Sequence, residues 1–281
     1  MSNFPKVIGF VPTYNAESFI LKTLDHLAAQ TYPNFEIIIG DDASTDRTAE
    51  LCEAFCQNDP RFSLIQNPKN LGWYHNSEKL WLEVAKRGKY CFINPHDDLP
   101  FPGFITELVA LMEANPNLSM AIPGMENEYW DSSRISSFYL DASGIENTVE
   151  RCYRIAKKDK DYWWAAYHAL HRSDLIPKIF PIHKLSFGEP EFSMDLISIL
   201  KMGFYGPFAT SDKILLKKIY RKNSVSIGWK HNSKNKAALW IRIFKEIKKS
   251  PLSLTEKEAL RRRLYHLLRT RVQQRIFSLF K

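Results

Sequence analysis

Three groups of acids in the 281-residue sequence could do chemistry. Asp41-Asp42 follows the run Ile37-Ile38-Ile39-Gly40, Asp97-Asp98 closes Asn94-Pro95-His96-Asp97-Asp98, and Glu189, Glu191 and Asp195 share the stretch Gly188–Asp195. Adjacent carboxylates repel each other, so a pair held side by side favours a place where a cation or a hydrogen-bond donor arrives. Paired carboxylates suit Mg2+ or Mn2+, hard ions that take oxygen ligands and often share them with a diphosphate. Glu189 precedes a predicted helix and could project into a cleft, where a carboxylate can take a proton as general base. Each group also has a structural reading. Asp before a helix caps it, and acids in a first turn favour the helix dipole. His96 reads as a hydrogen-bonding loop residue, outside the metal set.

These acids can cooperate only if the chain brings their loops to one edge. The first 125 residues alternate strand and helix. Val7–Val11, Glu36–Gly40, Phe62–Gln66, Tyr90–Asn94 and Met120–Ile122 read as strands, the second a continuous β-branched run typical of a buried parallel strand. Glu17–Gln30, Thr48–Phe55, Asn76–Ala85 and Pro102–Glu113 read as helices. Phe19, Ile20, Leu24, Leu27 and Ala28 recur at helical spacing, and Ser44-Thr45-Asp46 offers an N-cap to the second helix. This alternation predicts an α/β fold with a mostly parallel sheet covered on both faces. Ligands of such sheets bind beyond the carboxyl ends of the strands. Those ends are Pro12–Asn15, Asp41–Thr45, Asn67–Gly72 and Pro95–Asp98, so both acid pairs are expected at one rim.

Farther along the pattern is less regular. Ala165–His171, Phe204–Phe208 and Ile214–Tyr220 read as strands and Glu191–Met202 as a helix. Residues 232–248 and 255–280 read as helices parted by Ser250-Pro251, the second opening on a Thr255-x-x-Glu258 capping box. Trp163, Trp164, Tyr167 and His168 form either an acceptor platform or core.

A hydrophobic share of 44% and a charged share of 25% are those of a globular protein with a real core. No repeat or low-complexity tract is visible. The net charge of +8 predicts an anionic partner, with the excess gathered in residues 242–281, where Arg261, Arg262 and Arg263 are consecutive. Leu260, Leu264, Leu267, Leu268, Val272, Ile276, Leu279 and Phe280 recur near helical spacing among those cations. They read as an interfacial helix against anionic lipid or as a helix packed on the domain with a solvated basic face. No nucleic-acid motif accompanies the charge. Cys52, Cys56, Cys91 and Cys152 lack a metal-ligand spacing and read as reduced thiols. Met1–Lys6 leads into a strand without a basic-then-apolar leader, and no apolar run approaches the ~20 residues of a membrane span. The expectation is a cytoplasmic chain, with membrane contact at its inner face as the interfacial reading of the tail.

Taken together, Val11-Pro12-Thr13-Tyr14-Asn15, Gln30-Thr31-Tyr32-Pro33-Asn34-Phe35-Glu36-Ile37-Ile38-Ile39 and Asp41-Asp42-Ala43-Ser44-Thr45-Asp46-Arg47-Thr48 closely resemble the opening of the family 2 glycosyltransferases of the GT-A fold. Asn70-Leu71-Gly72 with Asn76 resembles the next family loop, and Tyr90–Asp98 the strand that ends in the family's D-x-D-type motif. The resemblance covers roughly residues 5–115. It implies an inverting transfer of sugar from a nucleoside-diphosphate donor to an acceptor hydroxyl, in bacterial-type cell-surface polysaccharide or glycoconjugate synthesis, with a glycan or lipid-linked acceptor. Pro12, Thr13, Tyr14 and Asn15 would line the nucleoside pocket, with Asn70, Gly72 and Asn76 beside it, and Asp41 would bind the base. Asp97 would face the ribose or the diphosphate, and Asp98 would hold Mn2+ or Mg2+. Pro95 and His96 depart from the D-A pair usual before the final acids.

The family's later acid, the base of its inverting members, finds its best counterpart in Glu191, with Glu189 and Asp195 as rivals. The implied organisation is a GT-A domain over 1–225, its nucleotide-binding half 1–125 and its acceptor half 126–225, followed by a basic helical extension over 226–281. Two alternatives stand beside this reading. A nucleotidyltransferase on a similar sheet would usually carry a Gly-rich phosphate loop where Pro12-Thr13-Tyr14-Asn15 stands. A non-catalytic binding or scaffold protein could retain the same fold.

Overall fold

The computed structural model describes residues 4–129, 135–157, 163–182, 185, 187–189, 191–221 and 230–278, without the side chains of 163, 164 and 275–278. The expected Trp163–Trp164 platform, Pro190, and the tail positions Ile276, Leu279 and Phe280 lie outside the described side chains.

The first half of the chain follows the sequence pattern closely. Strands β1 (Val7–Thr13), β2 (Phe35–Asp41), β3 (Phe62–Gln66) and β4 (Tyr90–Ile93) alternate with helices α1 (Ile20–Ala28), α2 (Thr48–Asn58) and α3 (Trp73–Val84). All of β4 and nearly all of β1 and β2 is buried, which is why they read as apolar runs rather than as an alternation. Helix α1 buries Ile20, Leu24 and Leu27, a single stripe. Strand β5 (Leu99–Pro100) and helix α4 (Phe104–Ala114) follow.

The second half holds β6 (Met120–Tyr129), β7 (Ile135–Phe138), α5 (Thr148–Lys157), β8 (Leu170–Arg172), α6 (Ile176–Ile179), α7 (Met194–Gly203), β9 (Phe208–Tyr220), α8 (Ser233–Lys249) and α9 (Leu254–Ser278). The strands form one sheet in the order β3-β2-β1-β4-β8-β6-β9-β5, with β7 on β6. Pairing is parallel from β3 through β4 and between β6 and β9. It is antiparallel where β8, β5 and β7 join. The sheet is therefore parallel where it carries the acid pairs and mixed beyond.

Several elements differ from expectation for physical reasons. Strand β6 runs to Tyr129 rather than stopping at Ile122, because Lys217 on β9 bridges Glu126 at 3.1 Å and Glu128 at 3.2 Å. Phe208 joins Ile214–Tyr220 in one strand of 13 residues, and 204–207 forms the turn after α7. Residues 163–168 make a 3-10 turn, leaving only 170–172 as strand. The α9 capping box lies two residues early: Ser253 Oγ accepts the Glu256 N–H at 3.2 Å, and Glu256 Oε2 accepts the Ser253 N–H at 2.9 Å. Helix α9 spends Leu260, Leu264 and Leu267 in the same core as the sheet. Arg263 bridges Glu150 of α5 at 2.7 Å and stacks 3.9 Å over Tyr153. Val272 stays 56% exposed. Among the described residues no helix is long and apolar enough to cross a membrane.

Candidate active site

Parallel register delivers four loops to one edge of the sheet. Thr13 lies opposite Asp41, and on the other side of β1 Phe10 lies opposite Ile93. Backbone bonds continue the ladder past the strand ends: Asp42 N–H to Thr13 O at 2.9 Å, Asn67 N–H to Asp41 O at 2.8 Å, and Asn94 N–H to Phe10 O at 2.9 Å.

The first two loops are laced together. Asn15, at φ +47°, accepts the Thr45 N–H on its side-chain oxygen at 2.8 Å and donates its own N–H to Ser44 Oγ at 3.0 Å. Ser44 in turn donates its hydroxyl to Asp41 Oδ1 at 2.5 Å and its N–H to Oδ2 at 3.1 Å. Asp41 is buried, and each carboxylate oxygen keeps a lone pair for one more donor. The buried Thr13 hydroxyl has no hydrogen-bond partner among the described residues. Pro12 is half-buried, and Tyr14 is 41% exposed.

Asp42 does different work from its neighbour. Its Oδ1 accepts from Asn67 Nδ2 and from the Leu71 N–H, both at 2.9 Å, and its Oδ2 accepts the Gly72 N–H at 2.9 Å. This buried carboxylate therefore fixes the whole 67–72 loop. Asn76, expected beside the nucleotide, is part of that brace: its oxygen accepts from Asn67 at 3.0 Å and its amide donates to Gly40 O at 2.8 Å. Asn70 bonds the Gly72 N–H at 3.0 Å. Gly72 has φ +85°, and a β-carbon there would stand 2.9 Å from Glu191 Oε1. The glycine makes room for the leading base candidate over the donor-side loop.

The rivals of Glu191 sit elsewhere on the same turn. The backbone N–H of Glu189 donates to Asn235 Oδ1 of α8 at 2.9 Å, and the Asn235 amide donates to Lys230 O at 2.7 Å. A β-carbon on Gly188, at φ +80°, would stand 2.8 Å from Ala238 Cβ. The start of α8 thus clamps the segment that presents Glu191. Asp195 heads α7 and accepts the Leu196 N–H at 2.8 Å. Tyr167 packs 6.5 Å from Trp81 and His168 is buried, so both contribute to the core.

The acids after β4 are unequal. Asp98 is 0% exposed; its Oδ1 accepts the Ile219 N–H at 3.1 Å, and Lys218 Nζ lies 3.4 Å from Oδ2. Burial pushes its pKa up to about 6, against the pull of Lys218. His168 Nδ1 lies 3.7 Å away, with a pKa that burial depresses well below the ordinary imidazole value. The oxygens of Asp98, expected to hold the cation, thus face protein groups. Asp97 keeps 15% of its side chain exposed and pairs with Arg221 Nε at 3.3 Å. The Arg221 guanidinium lies 4.2 Å over the Phe19 ring, which lies 5.1 Å from His96. Thr23 Oγ1 bonds His96 O at 2.8 Å, tying the acid loop to α1.

No group of three or more His, Cys, Asp or Glu among the described residues could cage a metal. One outward carboxylate fits a cation that shares its remaining ligands with substrate phosphates and water. Lys218, Arg221 and Asn235 are not singled out from sequence, and Phe19 is read there only as an apolar position of the first helix. The one available signal was the basic run Lys217-Lys218 within a strand, since lysine is depleted from strands unless paired.

The family model described as Glycosyl transferase family 2 matches residues 10–172, more than half of the chain. Glycosyltransferase GlyG of Streptococcus pneumoniae is 29% identical over 185 residues, covering 65% of this chain and 58% of that protein. A putative glycosyltransferase EpsH of Bacillus subtilis is 28% identical over 205 residues, covering 72% of this chain and 56% of that protein. The chain thus spans little more than half the length of these relatives. Among solved structures, Staphylococcus aureus TarS in complex with UDP-GlcNAc superposes with a TM-score of 0.70 at 18% identity, over 92% of this chain and 71% of that one. The mannosyltransferase PcManGT of Pyrobaculum calidifontis, in complex with GDP-Man and Mn2+, gives 0.59 at 15% identity, over 92% and 69%. These likenesses establish the GT-A architecture, and with the family match they identify the chain as a member of glycosyl transferase family 2.

Proposed function

We propose that this chain transfers a sugar from a nucleoside-diphosphate donor to an acceptor hydroxyl, with inversion, in the synthesis of a bacterial cell-surface glycan. The observation that carries the reading is the Glu191 carboxylate seated over Gly72, beside the loop that Asp42 fixes at the donor rim. A base candidate from the second half therefore stands beside a loop that an acid of the first half fixes. Thr13, Tyr14 and Asn15 offer the nucleoside a wall, and Asp41 offers a carboxylate to a base N–H. Asp97, rather than Asp98, presents an oxygen toward the diphosphate.

Mn2+ or Mg2+ on Asp97 and the donor phosphates would neutralise the leaving diphosphate. Glu191 takes the proton of the acceptor hydroxyl as that oxygen attacks the anomeric carbon. Complexes of structural neighbours with UDP-GlcNAc, UDP and GDP-Man support the donor class. The partly exposed cations and Val272 of α9 support a peripheral contact with anionic lipid, which would bring a lipid-linked acceptor near the rim.

A thermal-shift panel of nucleoside diphosphates tests the reading. At least one should raise the melting temperature in the presence of Mn2+ or Mg2+ only, and Asp97→Ala should abolish that shift; a metal-independent shift removes the cation from the proposal. Glu191→Gln should bind donor normally and lose turnover, and full turnover in that variant would eliminate Glu191 as base.

A further inference from the structure

We propose that Arg221 is a positioning residue whose guanidinium competes with the divalent cation for Asp97 and acts as second cation for the donor diphosphate. The inference rests on the glycosyltransferase reading and adds a residue and a coupling to it.

Two positive side chains from the end of β9 meet the two acids of the Asp97-Asp98 loop, yet the two pairs are built differently. Lys218 is committed to Asp98, which has no exposure and also accepts the Ile219 N–H. The pair of Arg221 with Asp97 is the more exposed one: 38% of the arginine side chain and 15% of the aspartate are exposed, and Nε, itself buried, stands 3.3 Å from Oδ2. The guanidinium plane rests 4.2 Å from the centre of the Phe19 ring. A guanidinium over an aromatic ring can turn toward another oxygen pair while keeping the aromatic contact.

Its location gives that turn a purpose. Phe19 ends the loop that begins at Thr13 on the nucleoside side, and Asp97 is the outward acid on the diphosphate side. Arg221 touches both, between the proposed nucleoside wall and the proposed cation ligand, where the diphosphate of a donor held by both would lie. An arginine fork matches phosphate oxygens as well as it matches a carboxylate. A divalent cation arriving alone must displace the guanidinium from Asp97, which weakens its binding. Arriving with a nucleoside diphosphate, it releases Arg221 onto phosphate oxygens, and the displacement is offset. Cation and nucleotide should therefore bind cooperatively, with Arg221 as the source of the coupling.

The experiment titrates Mn2+, followed by the electron paramagnetic resonance of the free ion, into the full chain alone and with UDP or GDP. Wild type, Arg221→Gln and Arg221→Lys are compared, with circular dichroism melts as the control for folding. Arg221→Gln should bind Mn2+ alone about fivefold tighter, the scale of a half-exposed ion pair. It should bind the nucleotide with Mn2+ about tenfold weaker, the scale of one charged hydrogen bond to phosphate. Arg221→Lys keeps the charge without the fork and should fall between the two in nucleotide affinity; if Arg221→Gln does not fold, this variant decides, and wild-type nucleotide affinity in it overturns the proposal. Unchanged or weaker Mn2+ binding in folded Arg221→Gln, or unchanged nucleotide binding, also overturns it. If wild type binds neither UDP nor GDP at any Mn2+ concentration, the glycosyltransferase reading itself falls. If wild type binds and the variants match it, only the role of Arg221 falls.

Discussion

Gly72→Ala tests the contact between Glu191 and the loop that Asp42 fixes. Gly72 has φ +85° and ψ +155°, a region open essentially to glycine alone. Forcing alanine into it costs about 1–3 kcal/mol. For a chain of this size that is a melting-temperature loss of roughly 2–5 °C. The second effect is steric. The new methyl would stand 2.9 Å from Glu191 Oε1, whereas ordinary contact begins at 3.4 Å, so the carboxylate must withdraw by 3.4 − 2.9 = 0.5 Å. Since a misplacement of about 1 Å can lower turnover ~100-fold, half of that predicts a loss of about tenfold. Hydrolysis of the donor identified by the nucleotide panel is the assay, read in Gly72→Ala, Glu191→Gln and the double variant. If the methyl acts through Glu191, the double variant is no slower than Glu191→Gln alone. Multiplicative losses would show that Gly72 acts through the donor loop instead, and wild-type turnover in Gly72→Ala would refute the seating of Glu191 altogether.

Other substitutions probe the braces behind the rim. Asp42→Ala strips the acceptor from the Leu71 and Gly72 N–H groups and from Asn67, and should lower stability in urea unfolding by about 3 kcal/mol or more, with Asp42→Asn milder. Asn235→Ala frees the Glu189 N–H and should lower kcat about tenfold while donor KM holds, because the clamp acts on the base segment and not on the nucleotide loops. His171 is buried against Trp81 at 4.9 Å, and burial lowers its pKa to about 3. The unfolded chain takes up that proton first, so the stabilising effect of neutral His171 is complete above pH ~6.5 and is lost as pH falls toward 3, at about 1.4 kcal/mol per pH unit. Melts of His171→Phe should show an acid limb shallower by one proton; an unchanged limb would mean that His171 is not buried neutral.

Much of the first half was legible because its rules are local. Ile37–Ile39 could be read as a buried strand from branching alone, and strand ends predict where ligands bind. The braces were not legible, because they join residues far apart in sequence. Nothing near Asp98 announces Lys218 or Ile219, 120 and 121 positions away. The family resemblance set Asn76 beside the nucleotide, and no local pattern announces its bond from α3 to Gly40 O, 36 positions away. Helix α5 was written in the sequence, with Cys152, Ile155 and Ala156 among its buried residues, but lay in a region of mixed signals. The two-residue strand β5 had no signal at all, since among the described residues it pairs only with Leu216 and Lys217 of β9.

The two acid pairs follow one plan that their sequences conceal. In each pair the second carboxylate turns inward and takes backbone N–H groups from a segment far downstream. Asp42 takes Leu71 and Gly72, and Asp98 takes Ile219 with Lys218 beside it. A carboxylate is suited to this task because charge-assisted bonds to N–H are about twice as strong as neutral ones and each oxygen can take more than one. Three donors offset the burial of Asp42, whereas at Asp98 one N–H and Lys218 offset it only in part, and burial still raises its pKa to about 6. The first acids, Asp41 and Asp97, are then held at the rim by the neighbours to which they are joined, with Ser44 and Arg221 orienting their oxygens. Adjacent acids thus divide two tasks: the inward carboxylate anchors a downstream segment, and its neighbour keeps oxygen for a ligand arriving at the rim.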